Sequence, residues 1–169
     1  MHRWLVPLIT VIAMTVVAVP HALAGDAPIG RLGDTLRVDT GNVVADITVS
    51  SVIPVPPPPG FGFQRAGNPV YGSPVGDEVW RADVAIHTIK TPNPFQLATD
   101  FTFDGVTPVG DAYTSRPSDA PDALGYALAN TPTGATVRGG VYWDVYRDLV
   151  TTVILLNKKT GAHVAQWNL

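Results

Sequence analysis

The chain has 169 residues, 46% of them hydrophobic, a formal net charge of −3 and no cysteine. That length accommodates one domain around a single core. Weak acidity argues against nucleic acid and against polybasic membrane attachment, and the missing cysteine excludes both a lipid anchor on sulfur and disulfide bracing.

At the start, His2 and Arg3 precede an apolar run over residues 5–19, which breaks at Pro20 ahead of Ala22-Leu23-Ala24. A basic start, an apolar stretch and a small-residue site form a secretory signal peptide in residues 1–24, with cleavage expected after Ala24. An uncleaved anchor is the competing reading, but the run falls short of the roughly 20 residues that a membrane span needs. Residues 25–169 are then expected to be one secreted, extracellular domain, and loss of Arg3 takes its charge to −4. No later stretch is long and apolar enough to halt export, so no stable membrane insertion is expected after cleavage.

Beyond the leader the pattern is that of β-structure. Thr35–Asp39 reads as a short strand, and Val43, Ala45, Ile47 and Val49 alternate with polar neighbours as a half-buried strand does. Trp80, Ala82, Val84 and Ile86 line one face of the next strand, with Arg81, Asp83 and His87 on the other. Phe95, Leu97, Thr99, Phe101 and Phe103 continue the alternation, and Asp104-Gly105 reads as a turn. Shorter strands are expected over 110–115 and Leu124–Leu128. Val137, Val141, Trp143 and Val145 form another. Residues 150–156, apolar on both sides, predict a central strand covered on both faces, and residues 162–169, with Val164 and Trp167, close the sheet. Tyr142 and Tyr146 are expected to share a face opposite Trp143. Seven to nine short strands with little helix predict an all-β fold, an immunoglobulin-like antiparallel β-sandwich, with Trp80 or Trp143 as the large central core residue.

The longest connection, residues 54–77, carries Pro54, four consecutive prolines at 56–59, and then Phe61, Phe63 and Tyr71 in glycine-rich surroundings. Consecutive prolines favour extended polyproline II and cannot donate to a sheet ladder, so a stiff exposed excursion is expected. Pro56, Pro57, Phe61, Phe63 and Tyr71 are the candidate interaction residues; a strand-crossing loop with packed aromatics is the competing reading. A second polar excursion covers residues 115–122.

Catalytic and metal-binding constellations are sparse. Ser73 in Gly72-Ser73-Pro74-Val75-Gly76 is one position early for a nucleophile elbow, and a turn explains it. Only His87 and His163 follow the leader, and His87 lies about 13 Å along the strand from Asp83, too far for one small metal. The carboxylates, Asp77, Glu78, Asp83, Asp100, Asp104, Asp144 and Asp148 among them, are scattered, as polar faces and turn caps require. No catalytic residue, metal or cofactor is expected.

Four segments carry a resemblance: Gly30-Arg31-Leu32-Gly33, residues 42–50 (NVVADITVS), residues 74–82 (PVGDEVWRA) and residues 140–145 (GVYWDV), in that order. Together with an ending near Asn157 and Trp167 they resemble the mycobacterial immunogenic secreted antigen family, the immunoprotective extracellular proteins. The resemblance covers most of residues 30–169. It implies an immunoglobulin-like sandwich secreted by an actinobacterium, without an established activity and without catalytic residues to carry over. The proline insert at 54–59 and the longer excursion after it depart from the family pattern.

Two functional readings follow. The first is a secreted antigen-like interaction module that contacts a host or envelope protein through its loops and one sheet face. The second is an envelope-associated small-ligand carrier or hydrolase, which needs a pocket between sheets or loops.

Overall fold

The computed structural model describes residues 27–63 and 78–169. The leader, Tyr71 and the turn around Ser73 therefore lie outside the described residues. Among the described residues, nine strands and two short helices follow one another as β1 (Ile29–Arg31), β2 (Thr35–Asp39), β3 (Val44–Val55), β4 (Glu78–Lys90), α1 (Gln96–Asp100), β5 (Phe101–Val106), β6 (Ala112–Tyr113), α2 (Leu124–Leu128), β7 (Thr136–Val145), β8 (Thr152–Asn157) and β9 (His163–Asn168). They form a five-stranded sheet of order β1-β9-β8-β5-β6 and a four-stranded sheet of order β2-β3-β4-β7. All neighbours are antiparallel except β1, which runs parallel to the last strand. The chain changes sheet between β1 and β2, β4 and β5, β6 and β7, and β7 and β8, which gives the immunoglobulin-like sandwich its crossed connections.

Alternation in β3 and β4 places Val43, Ala45, Ile47, Val49, Ala82, Val84 and Ile86 in the core between the sheets. A bulge at Val49/Ser51 shifts the phase, so that Val52 turns inward in its place. The strand then runs on through Pro54 and Val55, which pair with Trp80 and Val79, so the excursion begins two residues later than the sequence predicts. Pro54 is tolerated because β2 pairs with β3 only as far as Thr48, and among the described residues no other strand pairs with that edge of β3 around Pro54.

Trp143 and Trp167 are the largest fully buried side chains, and Trp80 is only half-buried. Each buried indole finds an acceptor. Trp143 Nε1 donates to the Phe103 carbonyl at 3.0 Å, across the core, and Trp167 Nε1 to the Asp34 carbonyl at 3.1 Å. The Asp104-Gly105 pair is not a turn but the middle of β5. Gly105 is there because a Cβ would stand 3.2 Å from the Trp143 ring and 3.0 Å from Val150.

Four other expectations give way to the structure. Residues 96–100 form helix α1, because Asn93 turns the chain with its side chain, Oδ1 accepting from the Phe95 N–H and Nδ2 donating to Gln96; Phe95 is left exposed. Leu124–Leu128 is also helical, with Leu124 and Leu128, four apart, on the same buried face. β8 is central in its sheet, but Val153 and Leu155 alone face the core, and Ile154 and Leu156 are half-exposed on the other side. Tyr142 and Tyr146 do not share a face: Tyr142 packs outside the four-stranded sheet, whereas Tyr146 packs edge-on against Tyr113 beside the main core.

Candidate binding cleft

The proline-rich connection is built onto the sheet. Phe61 and Phe63 meet edge to face at 5.0 Å and pack with Val55 on a small outer cluster of Val79, Ala120 and Tyr142. The second excursion holds them there: the Asp119 N–H donates to the Pro59 carbonyl at 2.8 Å, and Arg116 Nε to the Gly62 carbonyl at 3.0 Å. Gly60 turns with φ 66°, and a Cβ there would overlap the Asp119 carboxylate. Of the five candidate interaction residues, Pro56 and Pro57 are exposed, Phe61 and Phe63 are half-buried in this cluster, and Tyr71 is outside the described residues.

Beneath the same excursion runs a polar network. Arg81 pairs with Asp83 at 2.8 Å and with Asp122 at 2.6 Å, and its guanidinium stands 5.8 Å from the centre of the Tyr142 ring. Tyr142 donates its hydroxyl to Asp122 at 3.1 Å, and Ser51 donates to Asp83 at 2.6 Å. Burial, with that hydrogen bond to Asp122 added, raises the Tyr142 phenol above the usual tyrosine range. This network fixes the 115–123 segment to β4 and β7.

The histidines stay apart. His87, exposed on the four-stranded sheet, meets the Thr136 hydroxyl at 2.9 Å; His163, exposed on the other sheet, meets the Ala165 carbonyl at 3.1 Å. Among the described residues no three histidines or carboxylates gather as a metal would require. Asp104 is buried on the outer side of β5, and burial lifts its carboxyl above the ordinary range against the opposing hydrogen bonds from the Ser115 N–H and the Thr102 hydroxyl.

What the fold does create is a cleft of about 370 Å³ on the side where β6 and β7 are the sheet edges. β6 pairs with only Gly105 and Val106, so Phe101 to Asp104 of β5, paired with β8 on one side, have no strand among the described residues on the other. Residues 115–123 cross that gap as irregular chain, touching β7 through single bridges at Arg116/Tyr142 and Ala123/Gly140. α2 follows and forms part of the lining. It comes close to β7 because Gly139 has no side chain: a Cβ there would stand 2.7 Å from the Leu124 Cα. The floor is apolar, from Phe101, Phe103, Leu124, Leu128 and Val141, and Ser115, Arg116, Ser118 and Lys158 supply polar groups at the wall. The lining contains neither histidine nor carboxylate.

The comparisons with known proteins can be set beside this geometry. No protein-family model matches the chain, and no curated protein matches it. Two solved structures are similar: the YjhA protein from Bacillus subtilis, 15% identical over 74% of this chain and 78% of that one, with a TM-score of 0.43; and an uncharacterized β-sandwich protein from Clostridium difficile 630, 11% identical over 85% of this chain and 94% of that one, with a TM-score of 0.40.

Sequence reasoning did not find the cleft, because its floor depends on α2 being a helix. The spacing of Leu124 and Leu128 does not separate the two, since residues four apart share a face on a strand as well as on a helix.

Proposed function

We propose that the protein is a secreted binding module of the immunoprotective extracellular type, which holds a small ligand in the cleft between β5, α2 and β7. The observation that carries this reading is the cleft itself. It is concave, it reaches the apolar core, and it combines a hydrophobic floor with a few polar groups, as small-molecule sites do. Its volume lies near the lower end of the range for such sites, about 300–1,000 Å³. Hydrolysis has less support than carriage: a base and a nucleophile must converge at the reacting atom, and the lining itself holds neither histidine nor carboxylate. Export is supported by the leader pattern in residues 1–24 and by the resemblance to the secreted antigen family.

Native mass spectrometry of residues 25–169, purified after incubation with envelope lipid and metabolite extracts, tests the reading. A small-molecule adduct on the wild type that is absent from a folded Leu124→Trp variant is the expected result. A bare mass from every extract, with no change in thermal stability, contradicts it. The N-terminus of the exported protein is expected at Gly25.

A second reading, contact with a host or envelope protein, draws on exposed Pro56 and Pro57, which border a shallow groove of about 330 Å³ with Pro54, Val55, Glu78 and Val79. Aromatic grooves of other proteins take extended proline segments of this kind. Crosslinking with a Pro56→Ala, Pro57→Ala variant separates the two: loss of a captured protein partner, with the small-molecule adduct retained, supports protein contact through this edge.

A further inference from the structure

Resting on the cleft as the binding site, we propose that its ligand is an amphiphile with an anionic carboxylate head on an unbranched apolar chain, as in a medium-chain fatty acid. Two cations stand at the wall of the cleft, Arg116 and Lys158, and neither pairs with a carboxylate among the described residues. Arg116 gives Nε to the Gly62 carbonyl at 3.0 Å, which fixes the guanidinium and leaves both terminal nitrogens without a partner among the described residues. Lys158 reaches the Ala98 carbonyl at 2.8 Å.

The nearby carboxylates do not line the cleft and have other contacts. Asp122 is held by Arg81 and Tyr142, Asp100 by Lys159 at 2.7 Å, and Asp119 accepts from the Tyr126 hydroxyl at 3.4 Å. Asp104 lies behind Thr102 and Ser115, from which it accepts hydrogen bonds, so the lining itself carries two cations and no carboxylate.

A second observation points the same way. Ser118 lines the cleft, only 8% exposed, and its Oγ is closed off from solvent without a hydrogen-bond partner among the described residues. A buried hydroxyl that lacks a partner costs about 1–3 kcal/mol, which a ligand that shifts the covering atoms and accepts from it recovers. Guanidinium, ammonium and hydroxyl together present donors and no obligatory acceptor, the complement of a carboxylate. The guanidinium fork offers parallel N–H donors that suit the two oxygens of a carboxylate head. Elsewhere in the lining, Phe101, Phe103, Leu124 and Leu128 offer apolar side chains, which suit a hydrocarbon tail.

Isothermal titration calorimetry on residues 25–169 provides the test, with monomeric decanoate, decyl phosphate, decyltrimethylammonium and decyl maltoside as probes. Wild type is expected to prefer decanoate to the cationic and neutral probes by at least about ten-fold. Arg116→Gln with Lys158→Gln, both at the wall and outside the core, is expected to weaken decanoate binding by about ten-fold, with no loss for decyl maltoside. Ser118→Ala keeps the fold and weakens decanoate by a few-fold. Binding of all four probes with equal affinity, abolished by Leu124→Trp, overturns the carboxylate assignment and leaves the cleft as the site. Preference for decyl phosphate over decanoate likewise overturns the carboxylate head. Failure of every probe to bind wild type overturns the inference, whereas the cleft reading is judged separately by the adduct from envelope extracts.

Discussion

The two sides of the sandwich are closed by different means. On the β1 side, main chain does the closing: β1 lies parallel to β9, the Leu32 N–H donates to the Asn168 carbonyl at 3.1 Å, and the Gly33 N–H donates across to Val49 of the other sheet at 2.8 Å. Trp167 fills the interior behind this seam. On the β7 side the gap is bridged by irregular chain and one short helix, whose contacts are side chains and single bridges. Regular strand pairing leaves little room for a ligand, because sheets that share edges pack at fixed spacing. Where a five-residue helix takes the place of a strand, the spacing is no longer imposed, and space for a ligand opens without a break in the core.

The comparison predicts a graded response to truncation, read as urea midpoints at constant slope. Trp167→Ala, on the sealed side, is expected to cost about 3–5 kcal/mol, since a large void opens where main chain cannot relax. Leu124→Ala, over the open side, is expected to cost about 2 kcal/mol, at the low end for its type, because the site is already bordered by a cleft. Equal losses at the two positions would break the distinction.

Gly139→Val is the next largest effect. Overpacking against α2 is expected to cost about 1–3 kcal/mol and to displace the helix, changing ligand affinity more than a substitution of equal cost elsewhere. Retained affinity in a folded Gly139→Val protein would mean that α2 does not shape the site.

Smaller effects appear in the pH dependence of stability. Because burial raises the Asp104 carboxyl in the folded protein, its ionised form weighs against folding at neutral pH, and that burden lifts as pH falls through the raised value toward the unfolded value of about 4. Asp104→Asn is therefore expected to be more stable than wild type at pH 7 and to lose its advantage in acid. Asp100 behaves oppositely. Burial pushes its carboxyl up, but hydrogen bonds from Lys159, Gln96 and Thr99 together with the Lys159 charge outweigh it and leave the carboxyl low. Its contribution is present above about pH 4 and lost as pH falls toward the depressed value, so Asp100→Asn should weaken the protein at pH 7 and matter little at pH 2. At the bottom of the scale, Arg37→Gln breaks an exposed pair with Asp46 and should leave stability unchanged within error.

The strands were legible in the sequence wherever one face met the core and the other met solvent, as in residues 43–49 and 82–86. The reading failed where local chemistry overrode alternation. Leu97, Thr99 and Phe101 alternate like a strand, yet the Asn93-Pro94 turn starts a helix first, and Leu124 with Leu128 satisfies both periods over so short a run. β1 was not visible at all, since three residues carry no period and its pairing with β9 joins opposite ends of the chain. The site followed the same rule. The aromatic loop was conspicuous in composition, but Phe61 and Phe63 found a sheet face to cover; the cleft is made of Ser115, Arg116, Ser118 and Lys158, unremarkable residues that only the crossing of 115–123 over β5 brings together.

The most direct test of the central claim is an amide and indole NMR titration of residues 25–169 with decanoate. The account predicts saturable shifts at Phe101 to Phe103, Ser115 to Ser118, Leu124 to Leu128 and Lys158, with the Trp167 indole unmoved behind its sealed edge. Shifts centred on Pro56 to Phe63 or on Trp167, or none at all, would contradict it.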